Sequence, residues 1–300
     1  RSPRRQVPIA STGAIGQPVP MDKIRAGLPK LVKGLSPQGG RLAAEAIMTT
    51  DTKPKEAALR VEVAGRPVTI GGIAKGVGMI EPHMATMFCF LATDAMVARD
   101  SLPRVLRRAV DGSFNRITVD SDQSTSDTVA VLANGLAENA SLERGGKALR
   151  QFARALEAIS ERLARMLVED GEGASKLVQV LVRGARTRRE AVVAARSVAN
   201  SPLVKTAING ADPNWGRIMM ALGKSPARVA ADRVPIAIGD EPLVEKGMLR
   251  PGARIDRIHE VMGGPSYTIA IDLGLGRGED AVWTSDLSEE YVRINAKYTT

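Results

Sequence analysis

Apolar residues recur every three or four positions over several stretches of this chain, a spacing that predicts helices with one buried face. The strongest such stretch is 147–168, where Leu149, Phe152, Leu156, Ile159, Leu163 and Met166 fall in step. Shorter helices are expected over 21–35, 40–48, 96–110, 129–136, 189–200 and 218–222. Alternating or short apolar runs predict strands over 7–10, 114–120, 177–182, 234–238, 268–271 and 291–300. Residues 59–63 and 68–70 flank Ala64-Gly65-Arg66-Pro67, which is a hairpin pattern. Helices and strands alternate, and no internal repeat or low-complexity linker divides them. One mixed α/β unit is therefore expected.

The pattern breaks most sharply over 71–94, GGIAKGVGMIEPHMATMFCFLATD. A glycine-punctuated loop carrying Lys75 leads into His83-Met84-Ala85-Thr86 and then into the apolar run 87–92. Glycines let backbone approach a ligand closely, and a hydroxyl residue after a small one leaves an accessible peptide bond. These residues make Thr86 a candidate nucleophile for acyl transfer. Near the start of the chain, Ser11-Thr12-Gly13 follows the first expected strand. Such a turn either presents a hydroxyl and an N–H to one point or is an ordinary tight turn, and the residues alone leave both open.

Composition narrows the chemistry. The single cysteine, Cys89, excludes an intramolecular disulfide and a cysteine metal cluster, and its apolar neighbours Phe88 and Phe90 predict a buried thiol. Two histidines, His83 and His259, give no signal of a Ser-His-Asp relay or a zinc site. The net charge of +9 is spread along the chain, and only 3% of residues are aromatic, so nucleic-acid binding is not expected. The aspartates at 120, 122 and 127 lack the glycine and the glutamate of a calcium loop, so no metal is expected there. Gly274, Gly276 and Gly278 are followed by no helical pattern, unlike a dinucleotide fingerprint. No apolar run approaches the roughly 18 residues of a membrane span. The basic N-terminus lacks the apolar segment of a secretory signal, so a cytoplasmic address is expected.

Taken together, the motifs resemble the ornithine acetyltransferase (glutamate N-acetyltransferase) family of arginine biosynthesis. The resemblance is carried by Ser11-Thr12-Gly13 with Gly16 and Pro18, by Met48-Thr49-Thr50-Asp51-Thr52, and by Ala74-Lys75-Gly76 with Gly78-Met79-Ile80. It continues through Met84-Ala85-Thr86-Met87, Asn115 to Asp120, Asp170-Gly171-Glu172-Gly173-Ala174, the Ser201 to Arg217 tract, Asp286, and Tyr291 to Thr300. The resemblance implies a layered αββα-type sandwich like that of N-terminal-nucleophile enzymes.

It further implies self-cleavage between Ala85 and Thr86. The pieces would be 1–85, with the oxyanion turn and substrate loop, and 86–300, starting at the nucleophile, together one catalytic unit. The freed Thr86 amine would serve as base for its own hydroxyl. Thr12 and Gly13 would form the oxyanion hole. Thr49, Lys75, Thr86, Glu172, Asn295 and Thr300 would contact substrate, with Thr50 a rival to Thr49. The implied reaction moves acetyl from N2-acetylornithine to glutamate, with no bound cofactor or metal; some relatives also draw on acetyl-CoA as a co-substrate while others only recycle the acetyl group, and no motif here decides between the two. The implied assembly holds two α and two β pieces. Family members carry a substantial region ahead of the Ser-Thr-Gly turn, and here ten residues precede Ser11. The alternatives are therefore an inactive truncated remnant, or an amidohydrolase or aminopeptidase that passes its acyl group to water.

Overall fold

The computed structural model of the protein describes residues 7–81 and 87–297. Its first helices, α1 (Met21–Lys33) and α2 (Gly40–Ala46), precede the hairpin of β1 (Lys55–Val63) and β2 (Arg66–Lys75). Ala64 and Gly65, both at positive φ, make the turn between them. Then come β3 (Phe88–Thr93), α3 (Leu102–Gly112), β4 (Ile117–Thr118), β5 (Thr128–Ala133) and α4 (Lys147–Glu169). The second half holds β6 (Leu177–Ala185), α5 (Arg188–Ala199), α6 (Pro202–Asn209), α7 (Trp215–Gly223), β7 (Ile236–Ile238), β8 (Glu241–Glu245) and β9 (Met248–Leu249). It closes with α8 (Ile255–Gly263), β10 (Ser266–Asp272), β11 (Gly278–Ser285) and α9 (Glu289–Lys297).

The strands form two sheets, a four-stranded one in the order β1-β2-β3-β5 and a seven-stranded one in the order β4-β11-β6-β10-β7-β8-β9. Helix α4 turns Phe152, Leu156, Ile159, Leu163 and Leu167 inward, as its period predicts. It packs on β1 and β2 and also reaches β4, β6 and β11 of the other sheet. A second core lies between the seven-stranded sheet and α5, α7 and α8, with Val180, Val182 and Val282 facing Ala191, Ala194 and Val198. Helix α5 starts where the Thr187 hydroxyl accepts the Glu190 N–H, and α7 where the Asn214 side chain accepts that of Arg217. The expected layered α/β class is the one the chain adopts.

Five local expectations are corrected. Residues 7–10 pair with no strand among the described residues and leave Val7 and Ile9 exposed. Gly71 and Gly72 belong to β2, not to a loop: a Cβ on Gly72 would stand 2.6 Å from the Leu91 side chain and 2.9 Å from that of Leu163, so the glycine admits close packing inside the sheet. Residues 128–133 are strand β5, parallel to β3 in the register Phe88↔Thr128. A short Val-Ala-Val-Leu-Ala run has no decisive period, and pairing settled it. Residues 289–297 are helix α9: the Ser288 hydroxyl accepts the Tyr291 N–H at 3.4 Å, and Glu290 pairs with Arg293 one turn on. The expected strand over 114–120 shrinks to β4 behind a 3₁₀ turn at Phe114–Arg116.

Candidate active site

Strand β2 ends on Lys75, which is 2% exposed. Its ammonium donates to the Thr49 hydroxyl at 3.0 Å. Burial pushes this lysine below its ordinary range, opposed by the nearby Asp51 carboxylate. A few residues away, the Asp51 side chain accepts the N–H of Thr49 at 3.1 Å and that of Gly76 at 2.9 Å. It also accepts the ammonium of the fully buried Lys55 at 2.6 Å. Burial alone would raise the Asp51 carboxyl, but these hydrogen bonds outweigh it and hold the group below its usual range. Lys55 reaches across at 2.6 Å to Asp170, which also takes the N–H and hydroxyl of Thr52. One buried cluster thus sets both Thr49 and the strand end that carries Lys75.

The Ser11-Thr12-Gly13 segment, irregular in itself, lines one cavity with Lys75 and runs into a tight turn at Ala14–Gln17. The Gln17 N–H donates to the Ala14 carbonyl, with Gly16 at φ +81° supplying the left-handed residue. Residues 11–17 share with Thr49, Lys75, Met79 and Ser124–Ser126 a cavity of about 470 Å³. Gly13 lies on its open side, with no atom within 4 Å of where a Cβ would stand. The Thr12 and Ser126 hydroxyls are 3.0 Å apart.

Glu172 sits where α4 has ended, on a turn whose backbone is tied to Val77 by a 2.9 Å hydrogen bond. Its two carboxylate oxygens accept the Thr50 hydroxyl at 2.8 Å and the Asn295 amide of α9 at 2.9 Å. Gly78 leaves room for this carboxylate, since a Cβ there would stand 2.7 Å from it. At Gly173, φ is +68° and a Cβ would meet the Tyr291 backbone nitrogen at 2.4 Å, so only glycine lets α9 dock.

Of the residues expected from sequence, Thr12, Gly13, Thr49 and Lys75 line one cavity. Thr50, Glu172 and Asn295 form an adjoining hydrogen-bonded set. Thr49 and Thr50 divide the work: the first holds Lys75, the second Glu172. Ala85, Thr86 and Thr300 lie outside the described residues. On the C-terminal side of residue 86, the Met87 N–H donates to Asp127 at 2.8 Å. Burial pushes the Asp127 carboxyl up to about 6, with the Met87 hydrogen bond and Lys75 opposing. Sequence reasoning missed the supporting set of Asp51, Lys55, Asp170 and Asp127. Asp51 and Asp170 stood inside quoted motifs, but a lysine in a strand pattern carries no sign that it will be buried. Cys89 is buried as expected, and burial pushes its thiol upward.

Known proteins resemble this chain over its whole length. The arginine biosynthesis bifunctional protein ArgJ of Geobacter sulfurreducens is 49% identical over 295 residues, covering 98% of this chain and 75% of that protein. The protein of the same name from Symbiobacterium thermophilum is 48% identical over 297 residues, 97% of this chain and 72% of its own length. A crystal structure of the Bacillus halodurans protein of that name superposes with a TM-score of 0.68 at 40% identity, covering 70% of this chain and 98% of that one. These likenesses and the layered fold define the chain as an acyltransferase of amino-acid biosynthesis. A profile of the ArgJ family matches residues 1–300, and the chain belongs to that family.

Proposed function

We propose that this protein transfers acetyl from N2-acetyl-L-ornithine to L-glutamate through an acetyl-Thr86 intermediate, after cutting itself between Ala85 and Thr86. The observation that carries the reading is the one cavity lined by Thr12, Gly13, Thr49 and Lys75, which puts the residues proposed as oxyanion donors and those proposed to receive the carboxylate around one space. The Thr86 hydroxyl attacks the acetyl carbonyl, and its own α-amine takes the proton. The Thr12 hydroxyl and Gly13 N–H hold the oxyanion, each such donor contributing roughly 3 to 4 kcal/mol to the barrier lowering. Ornithine leaves with the proton, and the glutamate amine then attacks acetyl-Thr86 to regenerate the enzyme. Lys75 and Thr49 receive the substrate carboxylate, while Glu172, held by Thr50 and Asn295, receives the side-chain amine of ornithine. Thr300 completes the substrate contacts.

The chain would act as two pieces, 1–85 and 86–300, that together form one catalytic unit. The Lys55–Asp170 pair and the β2–β3 ladder support their staying together, because both cross the cut. Two copies of each piece, a cytoplasmic site, no bound cofactor and acetyl-CoA as a second acetyl source complete the proposal. Among the described residues no helix is long and apolar enough to cross a membrane.

Intact-mass measurement tests the reading. Purified protein should give the two pieces, and acetylornithine should add one acetyl group to 86–300. Thr86→Ala should remain whole and inactive; full transfer by that variant would refute the proposal. Acetate released in place of acetylglutamate would mark an amidohydrolase.

A further inference from the structure

A hydroxyl has one proton to give and two positions to accept. If Thr12 holds the oxyanion, its proton has to point into the cavity when the tetrahedral intermediate forms, and threonine by itself does not decide that direction. The Ser126 hydroxyl stands 3.0 Å from Thr12 Oγ1, across 114 residues of sequence. Behind it, Ser124 Oγ is 3.4 Å from Ser126 Oγ and also faces the Ser126 N–H at 3.4 Å. Ser124 is 6% exposed, and all three hydroxyl residues line the cavity that holds Thr49 and Lys75. The loop is tied down on its far side, where the next residue, Asp127, accepts the Met87 N–H.

We infer that Ser126 is a positioning residue for the oxyanion donor: its hydroxyl donates to Thr12 Oγ1, fills one accepting position there, and turns the Thr12 proton toward the cavity. This rests on the role proposed above for Thr12. Hydrogen bonds then run one way, Ser124 to Ser126 to Thr12 to oxyanion, each O–H polarised by the next. No proton changes owner along the row. As the nucleophile's oxygen bonds to the acetyl carbon, the carbonyl π pair moves onto oxygen. The row stabilises that charge until the carbonyl re-forms and the amine leaves. The ground-state carbonyl carries little of this charge, so the contribution falls on the transition state, not on substrate binding.

Steady-state transfer by the full chain tests this with Ser126→Ala, Ser126→Thr, Thr12→Ala and the double variant Ser126→Ala/Thr12→Ala. Ser126→Ala should lower kcat and kcat/KM alike by about tenfold, less than the loss of roughly a few hundredfold at Thr12. Its KM and melting temperature should stay at the wild-type values. Ser126→Thr keeps the donor and should restore the rate. In the Thr12→Ala background the serine change should cost nothing more, since Ser126 acts only through Thr12. Unchanged or faster turnover in Ser126→Ala, or a full further loss in the double variant, overturns the inference. So does a raised KM with kcat intact, which would mark Ser126 as a binding or structural residue. Wild-type kcat in Thr12→Ala instead sinks the oxyanion role of Thr12 itself, a distinct result.

Discussion

Replacing Lys55 with methionine tests the buried cluster beneath the site. The side chain is 0% exposed, with its ammonium 2.6 Å from both Asp51 and Asp170. Methionine keeps most of the volume, so packing loss is small, and the effect is electrostatic. Two carboxylates are left facing each other in the interior without their cation. Breaking a buried pair by removing one partner costs about 3 to 5 kcal/mol. Each carboxylate keeps two other donors, Asp51 those of Thr49 and Gly76 and Asp170 those of Thr52, which places the expected loss near the middle of that range, about 4 kcal/mol. For a chain of this size that is a fall in melting temperature of about 6 °C. Denaturant unfolding at pH 7 should show it as a lower midpoint at unchanged slope. Adding Asp170→Asn should recover part of the loss, because one buried charge then remains where there were two. A loss under about 1 kcal/mol for Lys55→Met, or a further loss on adding Asp170→Asn, would refute the reasoning that this triad is a strained charge balance.

Other outcomes follow from single contacts. Asp127 sits at about 6 against 3.8 for a free side chain, so its ionised form is disfavoured by folding; its contribution to stability is present below pH 4 and is lost as pH rises toward 6. Asp127→Asn, whose amide oxygen can still accept the Met87 N–H, should therefore melt higher than wild type at pH 8 and lose that advantage at pH 4; the reverse order would refute it. Gly78→Ala forces the Glu172 carboxylate aside, whereas Gly173→Ala drives a Cβ into backbone at positive φ. The first should raise KM for acetylornithine with the fold intact, and the second should destabilise by more than about 2 kcal/mol, measured by thermal unfolding. Cys89 should resist thiol reagents in the folded protein and react once it is unfolded, as followed by mass.

Long periodic stretches were determined by sequence alone. Over α4, twenty-three residues repeat one apolar face, and a helical period puts Leu156 and Leu163 on the same buried side. The β1–β2 hairpin was equally legible from Gly65, which admits the positive φ the turn needs, while the turn itself proved to be Ala64-Gly65, with Arg66 and Pro67 already in β2. The polar motifs also declared themselves as unusual clusters of glycine, threonine and aspartate. Tertiary structure decided what local pattern left undecided. Residues 128–133 became a strand because β3 offered an edge, and 289–297 a helix because Ser288 caps it and Gly173 admits it. It also separated Thr49 from Thr50, since adjacent side chains on one loop can face different partners. The burial of Lys55 was likewise a tertiary outcome: a lone lysine becomes an interior group only when two carboxylates 119 residues apart in sequence, Asp51 and Asp170, close around it.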